Sequence, residues 1–143
     1  MKRYVLAGMA LVIGLGAAFA DSDAIKARRE LMKANGAATK GVVDIMKGAA
    51  PFDLASVQKA LATYADVAAK MPALFPPDSK TGDTNALPAA FDNSADRDAK
   101  FAALGKDAKA AMAAITDEAS FKATMPGVLK NCGGCHELYK QKT

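Results

Sequence analysis

Four stretches of this chain repeat apolar residues at alternating steps of three and four, the spacing that places them along one face of an α-helix. These stretches cover about 23–47, 54–71, 96–115 and 117–140. The chain is rich in alanine, only 6% of its residues are aromatic, and β-branched residues are few. No segment shows the two-residue alternation of a half-buried strand. The sequence therefore predicts an all-α fold, an antiparallel four-helix bundle.

Prolines and N-cap residues mark the predicted boundaries between these helices. Four prolines, with glycine and asparagine between them, make 72–95 a loop of roughly twenty residues between the second and third helices. A loop of this length is expected to be functional or to be packed by its own side chains. Asp53 and Asp117 are suited to cap the second and fourth helices. Pro126 is expected to kink the fourth helix or to delay its start.

The first twenty residues have the pattern of a cleavable signal peptide. Lys2 and Arg3 precede an uncharged apolar stretch over 4–17, and Ala18-Phe19-Ala20 offers small residues for cleavage before Asp21. The alternative is an uncleaved anchor helix, but the apolar stretch is shorter than the ~20 residues that span a bilayer. We therefore expect residues 1–20 to be a signal peptide and 21–143 to be a protein of the bacterial periplasm, with no membrane segment after cleavage.

The charge of the chain excludes one broad class of partner. Removal of Lys2 and Arg3 with the signal peptide lowers the formal net charge from +4 to +2. Acidic and basic residues are mixed along the rest of the chain, so there is no basic patch of the kind that binds nucleic acid. Residues 21–143 are long enough for one domain with a modest core.

The segment Cys132-Gly133-Gly134-Cys135-His136 has the C-x-x-C-H spacing of a haem attachment site. On a helix, positions i, i+3 and i+4 share a face, so both thiols can reach the two vinyl groups of one porphyrin. The adjacent imidazole, from the single histidine of the chain, then points at the iron. We expect one covalently bound haem c, attached through Cys132 and Cys135, with His136 as the proximal ligand.

Three other kinds of site use closely spaced cysteines, and each fits this chain less well. A redox-active dithiol of the thioredoxin type needs a βαβ context. A structural zinc site needs four ligands, and the sequence offers two thiols and one histidine. A structural disulfide over so short a span closes a very small loop and stabilises the fold little.

The position of this motif, on the last of four helices, resembles the class II c-type cytochromes, the family of cytochrome c′ and its low-spin relatives. The resemblance covers nearly all of 21–143. One departure is Phe91, where the family pattern has tryptophan. The residues that carry the resemblance are Arg28 and Met32 in Arg-Arg-Glu-Leu-Met-Lys, Lys47-Gly48, Pro51-Phe52-Asp53, Leu74-Phe75-Pro76-Pro77, and the C-terminal motif with Tyr139 and Lys140.

The resemblance leaves the sixth ligand of the iron open. Low-spin members use a methionine of the first helix and carry single electrons, whereas cytochromes c′ leave that position free for small gases such as nitric oxide. Of the five methionines after residue 20, only Met32 lies where the low-spin members place their ligand. We therefore expect Met32 to be the distal ligand. The alternatives are that Met32 only fills space in the core, and that the protein is a five-coordinate gas binder.

Two polar residues, Arg28 and Asn35, lie on the otherwise apolar stripe of the first helix. A buried arginine needs an anion, and a haem has two propionates, so we expect Arg28 to bind a propionate. The alternative is a surface arginine paired with an acid, and Arg29 replaces Arg28 if the helix is rotated by one position. The resemblance also implies redox partner proteins and allows a homodimer through the first two helices. No catalytic set is evident, so we expect an electron carrier and not an enzyme.

Overall fold

The computed structural model describes residues 15–142 and contains five α-helices in that range. Two single turns of 3-10 helix, Met71–Leu74 and Pro77–Lys80, lie between the second and third. No strand occurs within 15–142, and the predicted all-α class is confirmed. The five helices are α1 (Leu15–Met46), α2 (Leu54–Lys70), α3 (Ala89–Asp92), α4 (Ser94–Ala114) and α5 (Glu118–Tyr139), of which α1, α2, α4 and α5 form the four-helix bundle.

The first helix begins earlier than its periodicity indicated. α1 starts at Leu15, inside the segment that we assigned to the signal peptide, instead of near residue 23. Most of that assignment falls on residues 1–14 and on the side chains of 15–22, which lie outside the described part of the chain, so it stays a prediction. Within 15–142 no helix combines the length and the apolar character needed to cross a membrane. After α1, Gly48 adopts a positive φ of 70°, which favours glycine at the turn that ends the helix.

Both predicted N-cap residues are confirmed. The Asp53 carboxylate accepts a hydrogen bond from the Ser56 backbone N–H at 2.9 Å at the start of α2. Asp117 accepts one from the Ser120 N–H at 2.8 Å, and the Ser120 hydroxyl completes a capping box at the start of α5. Of the two expectations for Pro126, a delayed helix start is wrong, since Pro126 lies inside α5 and the helix already begins at Glu118. The kink stays a prediction.

The main core of the bundle lies where α2 packs against α1 on one side and against α4 on the other, with α5 packed against α4. Leu61, Tyr64, Phe121 and Met125 are fully buried there. The Tyr64 hydroxyl donates a hydrogen bond to Thr39 Oγ1 at 3.1 Å, which joins α2 to α1 through the core. α1 and α5 thereby come to face one another at the remaining side of the bundle.

The long segment between α2 and α4 is packed by its own side chains, as one of the two expectations for it stated. The Phe75 ring meets Phe91 edge-on at 5.4 Å between centroids and lies 6.5 Å from Phe101 of α4. A second, smaller core forms here from Val67, Met71 and Phe101, with Phe75 packed against it. The segment therefore covers one end of the side where α1 and α5 face each other.

Candidate functional site

A cavity of about 450 Å³ lies between α1 and α5 and is closed on one side by the segment that follows α2. Every residue that the sequence analysis selected for the haem site lines it. α1 contributes Arg28, Met32, Asn35 and Thr39; α5 contributes Cys132, Cys135, His136 and Tyr139; Met71, Phe75 and Phe101 complete the apolar wall.

The C-x-x-C-H motif presents its three reactive side chains from one wall of this cavity. Cys132 and Cys135 are half-buried thiols that are not bonded to each other, and burial raises the pKa of both above the ordinary value. The two thiols are therefore neutral at physiological pH. Gly133 and Gly134 are exposed on the outer side of α5, where a Cβ would meet no heavy atom within 4 Å.

The surroundings of the His136 imidazole favour its neutral form. Burial lowers its pKa below the ordinary 6.5, and the positive charge of Lys140 lowers it further. A neutral imidazole retains the ring-nitrogen lone pair that binds a metal ion. The protonation state of His136 is therefore the one that axial ligation requires.

Two methionines line the cavity. Met32 is half-buried on the α1 side, while Met71 is 1% exposed and belongs to the small core with Val67 and Phe101. The sequence analysis singled out Met32 alone among the methionines and did not assign Met71, the last residue of the predicted second helix, to the site. Its place on the inward stripe of that helix was the available signal. The other methionines after residue 20 belong to the main core: Met46, Met112 and Met125.

Arg28 is buried, with 5% of its surface exposed, so the alternative of a surface arginine does not hold. Its guanidinium donates to the Ser79 hydroxyl at 2.6 Å and the Ser79 carbonyl at 3.0 Å, and also to the Leu74 carbonyl. It also lies 4.7 Å from the centre of the Phe75 ring. The arginine that pairs with an acid at the surface is Arg29, which is exposed and bound to the Asp83 carboxylate. The propionate role of Arg28 stays a prediction.

At the edge of the cavity, backbone hydrogen bonds join the segment between α2 and α4 to the end of α5. The Leu87 N–H donates to the Tyr139 carbonyl at 2.9 Å, and the Gln141 N–H donates to the Asn85 carbonyl at 2.8 Å. The Tyr139 hydroxyl donates to Asp96, and this hydrogen bond raises the pKa of Tyr139 to about 12. These contacts fix the segment relative to the helix that carries the motif.

The chemistry of this cavity fits a haem held through two thioethers. Its surface is mainly apolar, as a porphyrin face requires, and its reactive groups are two neutral thiols and a neutral imidazole. Within the described residues no cluster of three or more His, Cys, Asp or Glu side chains is arranged to hold a metal ion.

Comparison with known proteins agrees with the resemblance to the class II c-type cytochromes. The family model described as cytochrome C′ matches residues 23–140. Cytochrome c′ of Rhodopseudomonas palustris is 49% identical over 99% of this chain and 97% of its own length. Cytochrome c-556 of Agrobacterium fabrum is 38% identical over 89% of this chain and 86% of its own length.

Solved structures agree with the sequence matches. Cytochrome c′ of Rhodopseudomonas palustris superimposes with a TM-score of 0.82 at 49% identity, covering 85% of this chain and 98% of that one. Oxidised cytochrome c556 of the same species gives 0.77 at 30% identity, with coverage of 85% and 98%. The chain therefore belongs to the cytochrome c′ family: it is a mono-haem class II c-type cytochrome, and its cofactor is one covalently bound haem c.

Proposed function

We propose that this chain is an exported electron carrier in which Cys132 and Cys135 form the thioethers, His136 is the proximal ligand and Met32 the distal one. The observation that carries the proposal is that Met32 and His136 line one cavity from two different helices, α1 and α5. When bound, the haem iron alternates between the ferric and ferrous states and so carries one electron at a time.

The side chains of the cavity hold the haem and determine its reduction potential. Cys132 and Cys135 would hold the haem covalently, through thioether bonds to its two vinyl groups. The Met32 thioether is a soft donor that favours ferrous iron over ferric iron and so raises the reduction potential. Arg28, in its propionate role, adds a positive charge that acts in the same direction. The proposal assigns no catalytic residue.

The cellular setting follows from the sequence pattern. Residues 1–20 act as a signal peptide and 21–143 as the mature bundle, which works in the periplasm with redox partner proteins. The relatives named above come from bacteria. Gram-negative bacteria have a periplasm. The mass of the protein recovered from the periplasmic fraction should correspond to a chain that begins at Asp21 plus one covalently bound haem. A mature chain that retains residues 1–20 contradicts this part of the proposal.

One rival function has support of its own. The relative with 49% identity is named a cytochrome c′, and the sequence pattern of cytochromes c′ implies a five-coordinate iron open to small gases. In that case Met32 only fills space in the distal wall. The two functions differ in one physical property, the number of ligands that the protein itself gives to the iron.

Replacement of Met32 tests the proposal. The wild-type haem should be low-spin in both oxidation states, and the ferrous protein should bind carbon monoxide slowly or not at all. Met32→Ala removes the sulfur donor, so the haem should become high-spin and bind carbon monoxide readily while the thioethers retain it. Met71→Leu is the matched control, since it changes the other methionine of the cavity, and it should leave the spin state unchanged. A wild type that is already high-spin and reactive with carbon monoxide overturns the proposal in favour of gas binding.

A further inference from the structure

Asn35 is a buried polar residue within an otherwise apolar part of the cavity. It lies on α1 one turn after Met32 and is only 7% exposed. It lines the main cavity and also an adjoining gap of about 30 Å³ that Cys132, Cys135 and His136 share. Its side-chain Oδ1 is enclosed and has no hydrogen-bond partner among the residues that the structure describes.

A buried amide oxygen without a hydrogen-bond partner lowers the stability of the folded protein. An enclosed amide oxygen without a donor loses its hydrogen bonds to water and gains none in the protein. Leucine has a similar size and carries no such cost, and it would suit the inward stripe of α1. The presence of asparagine therefore points to a partner that enters the cavity.

The porphyrin itself is a poor partner for this amide. Its charged groups are the propionates, which lie at the edge away from the vinyl groups. Asn35 shares its gap with Cys132 and Cys135, the side chains proposed to bind the vinyl groups. Arg28, the proposed propionate ligand, lies seven residues earlier, about 10 Å along the helix at ~1.5 Å per residue.

We propose that Asn35 hydrogen-bonds a small polar ligand in the space beside Met32, and so makes this cavity favour polar over apolar small ligands. A gap of 30 Å³ admits a molecule of a few atoms, because one water needs only about 10–15 Å³ by the same kind of measure. The Asn35 carboxamide offers both a hydrogen-bond donor and an acceptor. A flip of the amide exchanges its oxygen and nitrogen without changing its shape, so it can present either one to the ligand. The inference rests on the proposed haem site, but not on ligation of the iron by Met32.

The test compares two probes in a background where the distal position is open. Cyanide, a good hydrogen-bond acceptor, is titrated into the ferric protein, and carbon monoxide, a weak acceptor, into the ferrous protein. The variants are Met32→Ala alone and Met32→Ala with Asn35→Leu. Loss of one hydrogen bond should weaken cyanide binding by about 2- to 12-fold and leave carbon monoxide binding unchanged. Lys33→Ala in the same background changes an exposed neighbour on α1 and should affect neither probe.

Equal changes for cyanide and carbon monoxide, or no change for either, overturn the inference. Unfolding in urea without added ligand supplies a second readout. Asn35→Leu should leave the midpoint equal or higher, since it removes an unpaired amide; a lower midpoint means that the amide has a structural partner, and this also overturns the inference. If the leucine variant folds poorly, Asn35→Ala supplies the same comparison of cyanide and carbon monoxide binding, without the urea criterion. Every variant compared in this test carries Met32→Ala. A negative result for Asn35 is therefore distinct from a negative result for Met32 as the iron ligand.

Discussion

Arg28 and Arg29 are neighbours in sequence, yet their environments differ completely. The Arg28 guanidinium is buried among oxygen atoms of the segment after α2 and lies against the Phe75 ring. Arg29 is exposed and pairs with Asp83. Position on the helical stripe distinguished the two, because Arg28 falls on the inward face at the same spacing as Met32. The hydrogen bonds to Ser79 could not be predicted, since they depend on how a long segment folds back.

The two arginines make a matched pair of variants. Arg28→Ala leaves the Ser79 and Leu74 carbonyls without their donor, so we expect it to lower the free energy of unfolding by about 2–3 kcal/mol. Arg29→Ala removes an exposed ion pair and should cost less than about 1 kcal/mol. Chemical denaturation followed by far-UV circular dichroism measures both.

The reduction potential separates the structural role of Arg28 from its propionate role. Ferric haem carries one more positive charge than ferrous haem, so loss of a nearby cation should stabilise the ferric state. Arg28→Ala should therefore lower the potential in a spectroelectrochemical titration, while Arg29→Ala should lower it less, because Asp83 already pairs with the Arg29 charge. If the potential of the folded Arg28→Ala protein equals that of the wild type, Arg28 only fastens the segment to α1.

At the scale of the elements, α5 carries the attachment motif, and its start depends on one carboxylate. Hydrogen bonds from Ser120, first from its backbone N–H and then from its hydroxyl, hold the pKa of Asp117 below its ordinary 3.8. A lowered pKa means that the stabilising effect is present above pH 3.8 and is lost as the pH falls through the lower value of the folded state.

Two substitutions at Asp117 separate capping from charge. Asp117→Ala should lower the melting temperature by a few degrees at neutral pH, because the Ser120 N–H loses its acceptor. Asp117→Asn retains an acceptor and should melt near the wild type at neutral pH. Below pH 3.8 the wild type should lose more of its stability than the asparagine variant, as measured by thermal melts across that range. Parallel pH profiles for these two proteins would show that the carboxylate charge has no part in the cap.

The elements themselves were largely predictable, because periodicity and capping are local properties. Asp53 and Asp117 marked two helix starts correctly. Pro126 does not delay the start of α5, since a proline costs one hydrogen bond in a helix interior and the packing of α5 against α4 can compensate for that loss. The single-turn helices between α2 and α4 were not predicted, because a single turn is too short to show a helical period in the sequence.

At the scale of the whole molecule, the cavity between α1 and α5 brings together the predicted site residues of two helices. Its volume is about 450 Å³, and its lining is mainly apolar. Haem therefore supplies much of the apolar contact on this side of the bundle. The spacing of Cys132, Cys135 and His136 predicted one wall, since it is a local pattern. The inward stripe of α2 indicated that Met71 is buried, but its place in the cavity wall depends on how α2 crosses α1 and could not be read from the sequence.

Loss of covalent attachment should therefore affect the entire fold. With Cys132→Ala and Cys135→Ala together, acid and organic solvent should extract the haem, and the product should show weak, non-cooperative thermal unfolding by circular dichroism. Gly134→Ala is the matched control: a Cβ there meets open space, so the haem should stay bound through denaturation. Recovery of a stable haem-free wild-type bundle from cells competent in cytochrome maturation would refute this dependence on haem.

The central claim, that Met32 completes the coordination of the iron, is tested most directly by the methyl resonances of the reduced wild-type protein. With 13C-methyl methionine labelling, one methyl held against the haem face should shift far upfield through the ring current, and Met32→Leu should abolish that signal alone. We expect one such resonance, assigned to Met32, with the others at ordinary positions. Ordinary shifts for every methionine methyl, or an upfield signal that survives Met32→Leu, would contradict the claim.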